Sequence, residues 1–474
     1  MIGIFLILTL LIVVLLVVNS NTVINYALII IYVILLWVFA IYEGFHTDAM
    51  QLMFFKPDSL GILLLFALCI VSVPAFYHSY RYIAAHDETP RSRGLFFGAL
   101  ILLMSSCSMA YLSDHIAVTW IFAELTTLSA SALIYHHRNI RALEGVWKYV
   151  FLCAISITFI YVGILFLSLA MKRSGIEDMS FNSIIGNASM LDTFWLKLAF
   201  LFIFTGFTAK IGLVPMYTAG IDAKDKAPAP AGAMFSSILM NMGFVGIYRV
   251  YAIVSHTSLQ QWASVIMIIS AVLSVFVATV YMTHIKNIKR MFAYSSIEHM
   301  GIVILGLAVG GIGVYAAILH IILHTLIKPT LFFQFNQIYR VYQSKSIYDA
   351  GHYFKYNRAG AIVVLLAFIS AAAMPPSGLF VSEFMVFQSL FESRHILILV
   401  FVLILLTMII WGFGSNIFKL LFTKPVLMNE SNIPRINPWE SFSQYVLLFM
   451  SMYLAYNPPG MFVNLIENAA KLIG

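Results

Sequence analysis

The feature that most limits what this chain can fold into is the recurrence of apolar blocks about twenty residues long, from the N-terminal Met1–Val18 stretch to the block around Leu447. A helix of that length crosses a hydrocarbon core of roughly 30 Å, whereas barrel strands would alternate apolar and polar positions over about ten residues. Only 10% of the 474 residues are charged and 61% are hydrophobic. A water-facing surface normally needs about 25% charged residues, so lipid is the solvent for most of this sequence. A soluble enzyme, a nucleic-acid-binding protein and an outer-membrane barrel are excluded.

Apolar runs between polar or Gly/Pro punctuation give about fourteen spans. They centre near Leu10, Val33, Leu68, Leu103, Leu125, Ile160, Phe204, Met242, Ala271, Val303, Ile321, Ala367, Ile404 and Leu447. The residues up to Val18 lack a basic leader and a small-residue cleavage site, so they read as a retained helix rather than a signal peptide. The polar stretches 172–192 and 419–439 are loop-sized, the first with room for a short surface helix. The chain thus reads as one all-α polytopic membrane domain with no appended soluble domain.

Charge placement tests the span count. Of the 27 Lys and Arg, 18 fall in loops after odd-numbered spans and 7 in the other loops and the C-terminal segment, with Lys210 and Lys328 inside spans. Basic residues collect on the cytoplasmic side of a membrane. The sequence therefore predicts both termini on the non-cytoplasmic face, and the net charge of +7 needs no anionic ligand. Cys69, Cys107 and Cys153 are isolated, without metal or disulfide spacing. No nucleotide-binding glycine pattern occurs either, and no cofactor or metal is expected. Such a chain draws on an ion gradient or on a partner that supplies energy.

An ionisable residue deep in a bilayer costs a few kcal/mol, so each one marks a pair, a hydrated interior or a pathway. Glu124, Lys210 and Glu383 lie within apolar runs, and His320, His324 and Lys328 share one span. Residues at i, i+4 and i+8 lie along one helix face. Two readings stand for that stripe: a relay handing protons along through water, or polar groups packed against a neighbouring helix. Glu124 and Lys210, each without another evident intramembrane partner, are expected to pair, as a pump element or as a structural ion pair. Lys148, four residues after Glu144, is either a snorkelling or a functional lysine. Glu298 and His299 begin a span and are expected near a cytoplasmic opening, while His136 and His137 adjoin Arg138 at an interface. His320 and His324 lie on one helix with no second ligand stripe, which argues against haem.

Two spans combine a charge with helix breakers. Lys210 precedes Gly212 and Pro215, whereas Glu383 follows Pro375, Pro376 and Gly378. Broken helices at membrane depth line protected cavities, and the reversed order of charge and break suits an inverted repeat.

These residues carry a resemblance. The Glu124 segment, Gly206-Phe-Thr-Ala-Lys210 with Val214-Pro215, Ala227-Pro-Ala-Pro230, and Asn287-Ile-Lys-Arg290 through Ala293-Tyr-Ser-Ser-Ile-Glu-His-Met-Gly301 are followed by His320, His324, Lys328-Pro-Thr-Leu-Phe-Phe333, and Pro375-Pro376 through Glu383. Over about Asp58 to Lys424 the chain resembles the antiporter-like membrane subunits of respiratory complex I, multisubunit cation/proton antiporters and group 4 hydrogenases. Ile297-Glu-His-Met-Gly301 and Phe380-Val-Ser-Glu-Phe384 resemble most the F-type members of the hydrogenase-4 group, which occur beside formate hydrogenlyase-like systems.

The resemblance implies about fourteen helices with helices 7 and 12 broken, N-terminal helices over 1–90, inverted five-helix repeats over 91–258 and 259–424, and a last helix over 425–474. It also implies a proton path through Glu124, Lys210, His320, His324, Lys328 and Glu383. Lys148, Asn241, Glu298 and His299 would serve as entrance or accessory groups. Other membrane subunits and soluble redox subunits would be partners, in a prokaryotic-type inner membrane. Sodium/proton exchange, inorganic-carbon uptake and a non-pumping membrane anchor remain alternatives on the same scaffold. Asn241 stands where many members have lysine, and Tyr217-Thr-Ala-Gly-Ile-Asp-Ala-Lys224 keeps only Thr218, Asp222 and Ala223 of the usual loop motif.

Overall fold

The computed structural model describes residues 1–86, 88–424 and 433–473. The polar stretch 419–439 and the segment 425–474 therefore lie partly outside the described residues. Regular structure is helical throughout the rest. It begins with α1 (Ile2–Val18), α2 (Thr22–Phe45), α3 (Ser59–Ala84), α4 (Pro90–Leu112), α5 (Ile116–Ile134), α6 (Ile140–Arg173) and the short α7 (Phe181–Gly186). Then come α8 (Thr193–Ile211), α9 (Thr218–Lys226), α10 (Ala229–Phe235), α11 (Ile238–Ser255), α12 (Gln260–His284), α13 (Ile288–Val309) and α14 (Ile312–Tyr342). The last are α15 (Tyr353–Tyr356), α16 (Arg358–Ala371), α17 (Gly378–Glu392), α18 (Ile396–Phe422), α19 (Phe442–Tyr456) and α20 (Gly460–Ala470).

Each expected span centre falls on its own helix. Among the described residues, 11 helical segments are long and apolar enough to cross a membrane, or 12 if the α19–α20 pair, bent by 70°, is one span. The apolar helices α1 and α16 are shorter, so length and composition alone do not reach fourteen.

Burial separates centre from rim. The α14 span is enclosed entirely by protein, as is α10–α11, whereas only 33% of the α2 and α18 windows is buried. A helix apolar on all sides can face lipid, but one carrying several titratable groups must be enclosed. α14 is therefore the axis, packed against α3, α10, α13, α16, α17 and α19.

Both expected breaks are present. α8 stops at Gly212, whose φ of +87° is a left-handed conformation that suits glycine at a helix C-terminus. The freed backbone is satisfied by α12: Ser274 Oγ accepts from Val214 N at 2.9 Å, and Ser270 Oγ donates to Val214 O at 2.5 Å. In the second break, between α16 and α17, Ser377 caps α17 by accepting from Phe380 N at 3.3 Å. Irregular backbone at membrane depth persists when protein groups supply its missing partners, as they do here.

Arg249, which the sequence places among the loop cations, lies inside α11 with 2% exposure. It donates to Asp58 Oδ2 at 3.1 Å and to the α4 carbonyls of Tyr111 and Ala110 at 2.6 and 3.3 Å. It also donates to Ser113 O, the residue after α4. A cation at a helix C-terminus meets the negative end of the helix dipole, so Arg249 fastens α11 to α4 and to the start of α3.

Two outcomes follow. Arg249→Met strands Asp58 Oδ2 and the carbonyls of Tyr111 and Ser113 and is expected to destabilise the protein by about 3–5 kcal/mol. Gly243→Ala places a Cβ against the Ile211 backbone nitrogen and is expected to cost about 1–3 kcal/mol through overpacking. Heat-induced unfolding of the detergent-purified protein checks both; an unchanged midpoint in either variant contradicts the corresponding packing account.

Candidate functional site

The densest polar cluster forms where α13, α14, α16 and α17 meet. Asn287 caps α13 by accepting from Lys289 N and Arg290 N at 2.9 and 3.1 Å. The helix then runs unbroken to Val309. It carries Ser295, Glu298 and His299 inward, with Glu298 2% and His299 0% exposed. His320, His324 and Lys328 on α14 are all fully buried, and Glu383 on α17 is 5% exposed.

Their contacts form a chain. His299 Nε2 meets the Ala371 carbonyl at 2.9 Å, and a carbonyl only accepts, so that nitrogen carries the hydrogen. In the neutral ring Nδ1 is then an acceptor, and His320 Nε2 donates to it at 3.1 Å. His320 Nδ1 in turn meets Ser382 Oγ at 3.0 Å, and Ser382 also has the Leu379 carbonyl at 3.0 Å. With one hydroxyl proton, Ser382 donates to a neutral His320, or donates to Leu379 and accepts from a protonated one. The sequence of bonds thus accommodates either protonation state of His320 without moving a helix. Ala371 ends α16, so the second break supplies the acceptor that sets the His299 tautomer.

Two carboxylates complete the cluster. Glu383 Oε1 lies 3.7 Å from His299 Nδ1, and Glu298 Oε2 lies 3.6 Å from His299 Nε2. The Glu298 and Glu383 carboxyls are close enough to act on each other's charge. Lys328 donates to Ser295 Oγ. Buried atoms without a hydrogen-bond partner gather here: both ring nitrogens of His324, Glu298 Oε2 and Glu383 Oε1. Unpaired buried polar atoms are costly, and ordered water is their usual partner. Donor atoms of His299, His320 and Glu383 lie within 4.8 Å of one another, close enough for a metal ion. The facing histidine nitrogens, however, use their hydrogen-bonding capacity on each other.

A second polar element lies on α8. Lys210 is 4% exposed and donates to Thr127 Oγ1 on α5. The expected Glu124–Lys210 ion pair is not formed: Thr127 lies three residues after Glu124 on the same helix and takes the ammonium instead, leaving Glu124 Oε2 without a partner. Asn241 on α11 is fully buried and exchanges hydrogen bonds with Thr325 on α14 at 2.9 and 3.0 Å. Glu298 and His299 are inside the cluster rather than at an opening, because α13 starts at Ile288 and a helix rises about 1.5 Å per residue, placing them some three turns in. Lys148 is exposed and pairs with Glu144 at 2.5 Å, which fits the snorkelling reading.

A cavity of about 890 Å³ opens at one end of the bundle. His86, His137, Arg141, Lys226, Lys289 and Lys345 contribute to its wall, drawing on the connections after the third, fifth, seventh, ninth and eleventh spans. Asp225 sits at its base, outside the spans, accepting from Asn287 Nδ2 at 3.1 Å and pairing with Lys345 at 3.3 Å. Burial pushes its carboxyl up, but Lys345, Lys289, Lys226 and Arg290 outweigh that and hold it below the usual carboxylate range. His136 meets Glu88 at 3.0 Å and His137 meets Tyr82 OH at 2.8 Å, so both sit at this end, as expected of interfacial groups.

Lys224 is a further buried titratable residue that escapes a reading of the sequence. Counted there as a loop cation, it is 2% exposed and points toward Met240 Sδ at 3.2 Å. Its position just after the first break, in the altered stretch from Tyr217 to Lys224, is the one signal that marks it.

Comparisons with known proteins agree with this architecture. The family described as NADH:quinone oxidoreductase/Mrp antiporter, transmembrane, matches residues 113–409. Relatives include a hydrogenase-4 component F homolog of Methylacidiphilum infernorum (isolate V4), 28% identical over 417 residues covering 86% of each chain. Another is F(420)H(2) dehydrogenase subunit M of Methanosarcina mazei, 23% identical over 448 residues covering 91% of this chain and 89% of that one. Among solved structures, a chain of the archaeal membrane-bound sulfane sulfur reductase superposes with a TM-score of 0.87 at 19% identity, covering 100% of this chain and 97% of that one. A chain of the Mrp complex from Dietzia sp. DQ12-45-1b gives 0.86 at 14% identity, with 99% and 96% covered. At those identities the structures speak to the fold, which is shared along essentially the whole chain. This multi-pass membrane protein belongs to the NADH:quinone oxidoreductase/Mrp antiporter transmembrane family.

Proposed function

We propose that the chain is a proton-translocating membrane subunit of a complex I-like assembly of the hydrogenase-4 or formate-hydrogenlyase type. The observation that carries this reading is the continuous buried set Lys328–Ser295, His324, His299–His320–Ser382, Glu298 and Glu383, held in helices that have no other reason to enclose so many ionisable groups. Its relatives include hydrogenase-4 component B and formate hydrogenlyase subunit 3 of Escherichia coli, and complex I subunits M and N.

In this reading protons enter from the 890 Å³ cavity, pass the Lys328 end of α14, and cross the histidine pair to Glu383. Lys210 and Glu124 form the lateral arm, in which displacement of Lys210 from Thr127 toward Glu124 makes the pair that the resting arrangement lacks. Alternation of the His320–Ser382 bond supplies the step that a fixed ion pair would block. Redox chemistry resides in soluble partner subunits. Lysine-rich connections converging on one cavity support a cytoplasmic assignment for that end. The protein then lies in a prokaryotic plasma membrane with both termini on the opposite face. The two breaks, with Lys210 before one and Glu383 after the other, support inverted repeats over 91–258 and 259–424.

The test is proton flux in proteoliposomes carrying the complete complex. Lys328→Met and Glu383→Gln are each expected to lower flux by about tenfold or more, the scale of losing a positioned proton-transfer group, with assembly intact. Parental flux in both assembled variants overturns the reading. Varying sodium at fixed pH is expected to leave the rate unchanged; obligatory sodium dependence would assign exchange instead.

A further inference from the structure

The relay has an interval without a titratable group. Asn241 and Thr325 bond each other reciprocally between α11 and α14, and neither side chain binds or releases a proton near neutral pH. His324, next to Thr325, has both ring nitrogens buried and unpartnered.

Four lysines have 4% exposure or less: Lys210, Lys224, Lys289 and Lys328. Lys210 has the Thr127 hydroxyl, Lys328 has the Ser295 hydroxyl, and Lys289 has the carbonyls of Asp225 and Ala227. Lys224 differs. Its only hydrogen-bond acceptor among the described residues is the Met240 thioether, a weak one, on the residue that precedes Asn241. An ammonium has three hydrogens to place, so Lys224 is held against Met240 with unused donors, while His324 has unused nitrogens. The charge of Lys224 also acts on both His324 and Lys328.

Position along α9 adds the second half of the argument. Asp225, Lys226, Ala227 and Pro228 line the large cavity, and Lys224, directly before them, is turned into the protein. It is a buried titratable group one residue behind the cavity wall, turned against Met240 on α11. We propose that Lys224 is the proton inlet of the relay, taking protons from the cavity and delivering them through water to His324 and Lys328 across the interval that Asn241 leaves. This rests on the proton-translocating reading given above. Bound water satisfies the spare donors of Lys224 and the free nitrogens of His324 together. The transfer needs no co-reactant: Lys224 gives up one N–H proton and regains one from the cavity side.

The experiment measures proton flux of the complete complex in proteoliposomes for Lys224→Met, Lys224→His and the double variant Lys224→Met with Asn241→Lys, beside Lys328→Met. Lys224→Met is expected to lose about tenfold or more. Lys224→His is expected to retain most of the flux, and Asn241→Lys is expected to restore part of what Lys224→Met loses, a rescue that a purely structural lysine would not show. Parental flux in Lys224→Met while Lys328→Met is inactive overturns the inlet and leaves the wider reading standing. Parental flux in both overturns the wider reading as well. If Lys224→Met fails to assemble, the assembled Lys224→His complex decides: retained flux supports the inlet, and flux as low as that of Lys328→Met overturns it.

Discussion

Everything in this protein follows from the enclosure of α14. A helix bearing His320, His324 and Lys328 cannot face hydrocarbon: on insertion scales a single lysine at membrane centre costs about 2.5–3.5 kcal/mol. The surrounding helices remove that exposure completely, leaving all three side chains at 0%. Enclosure does not by itself satisfy them, and the partners come from irregular places. Ser295 lies on α13, Ser382 follows the second break, and the Ala371 carbonyl exists as a free acceptor because α16 ends there.

The two helix breaks therefore serve chemistry as well as geometry. An unbroken helix has no spare backbone acceptor at membrane depth and cannot turn a charged segment inward. The first break is stabilised by Ser270 and Ser274 on α12, which take up the Val214 amide and carbonyl. The segment beyond it, α9, can then carry Lys224 inward and Asp225 to the cavity. Gly212 and Gly243 serve the same junction, one by its left-handed backbone and the other by letting α11 approach the end of α8.

Much of the site is legible in the sequence because ionisable residues stand out against an apolar background. Lys210, His320, His324, Lys328 and Glu383 are buried as membrane energetics demand. The departures have two sources. Pairing Glu124 with Lys210 requires knowing which turn of α5 faces the ammonium, and Thr127 lies one turn away on the same helix. Arg249 and Lys224 read as loop residues because each lies near polar residues or a break, although both are enclosed. Glu298 and His299 read as an opening for the same reason, yet α13 begins ten residues before Glu298.

The solvent, the positions of the spans, the two breaks and the asymmetric distribution of lysines are all written in the amino-acid order, because each follows from transfer energies and backbone chemistry acting over one segment at a time. Which groups touch is a matter of tertiary packing. His299 with His320, Glu383 with His299, Asn241 with Thr325 and Lys224 with Met240 all join different helices. Such contacts depend on the rotation and packing of whole helices, which hydropathy does not encode.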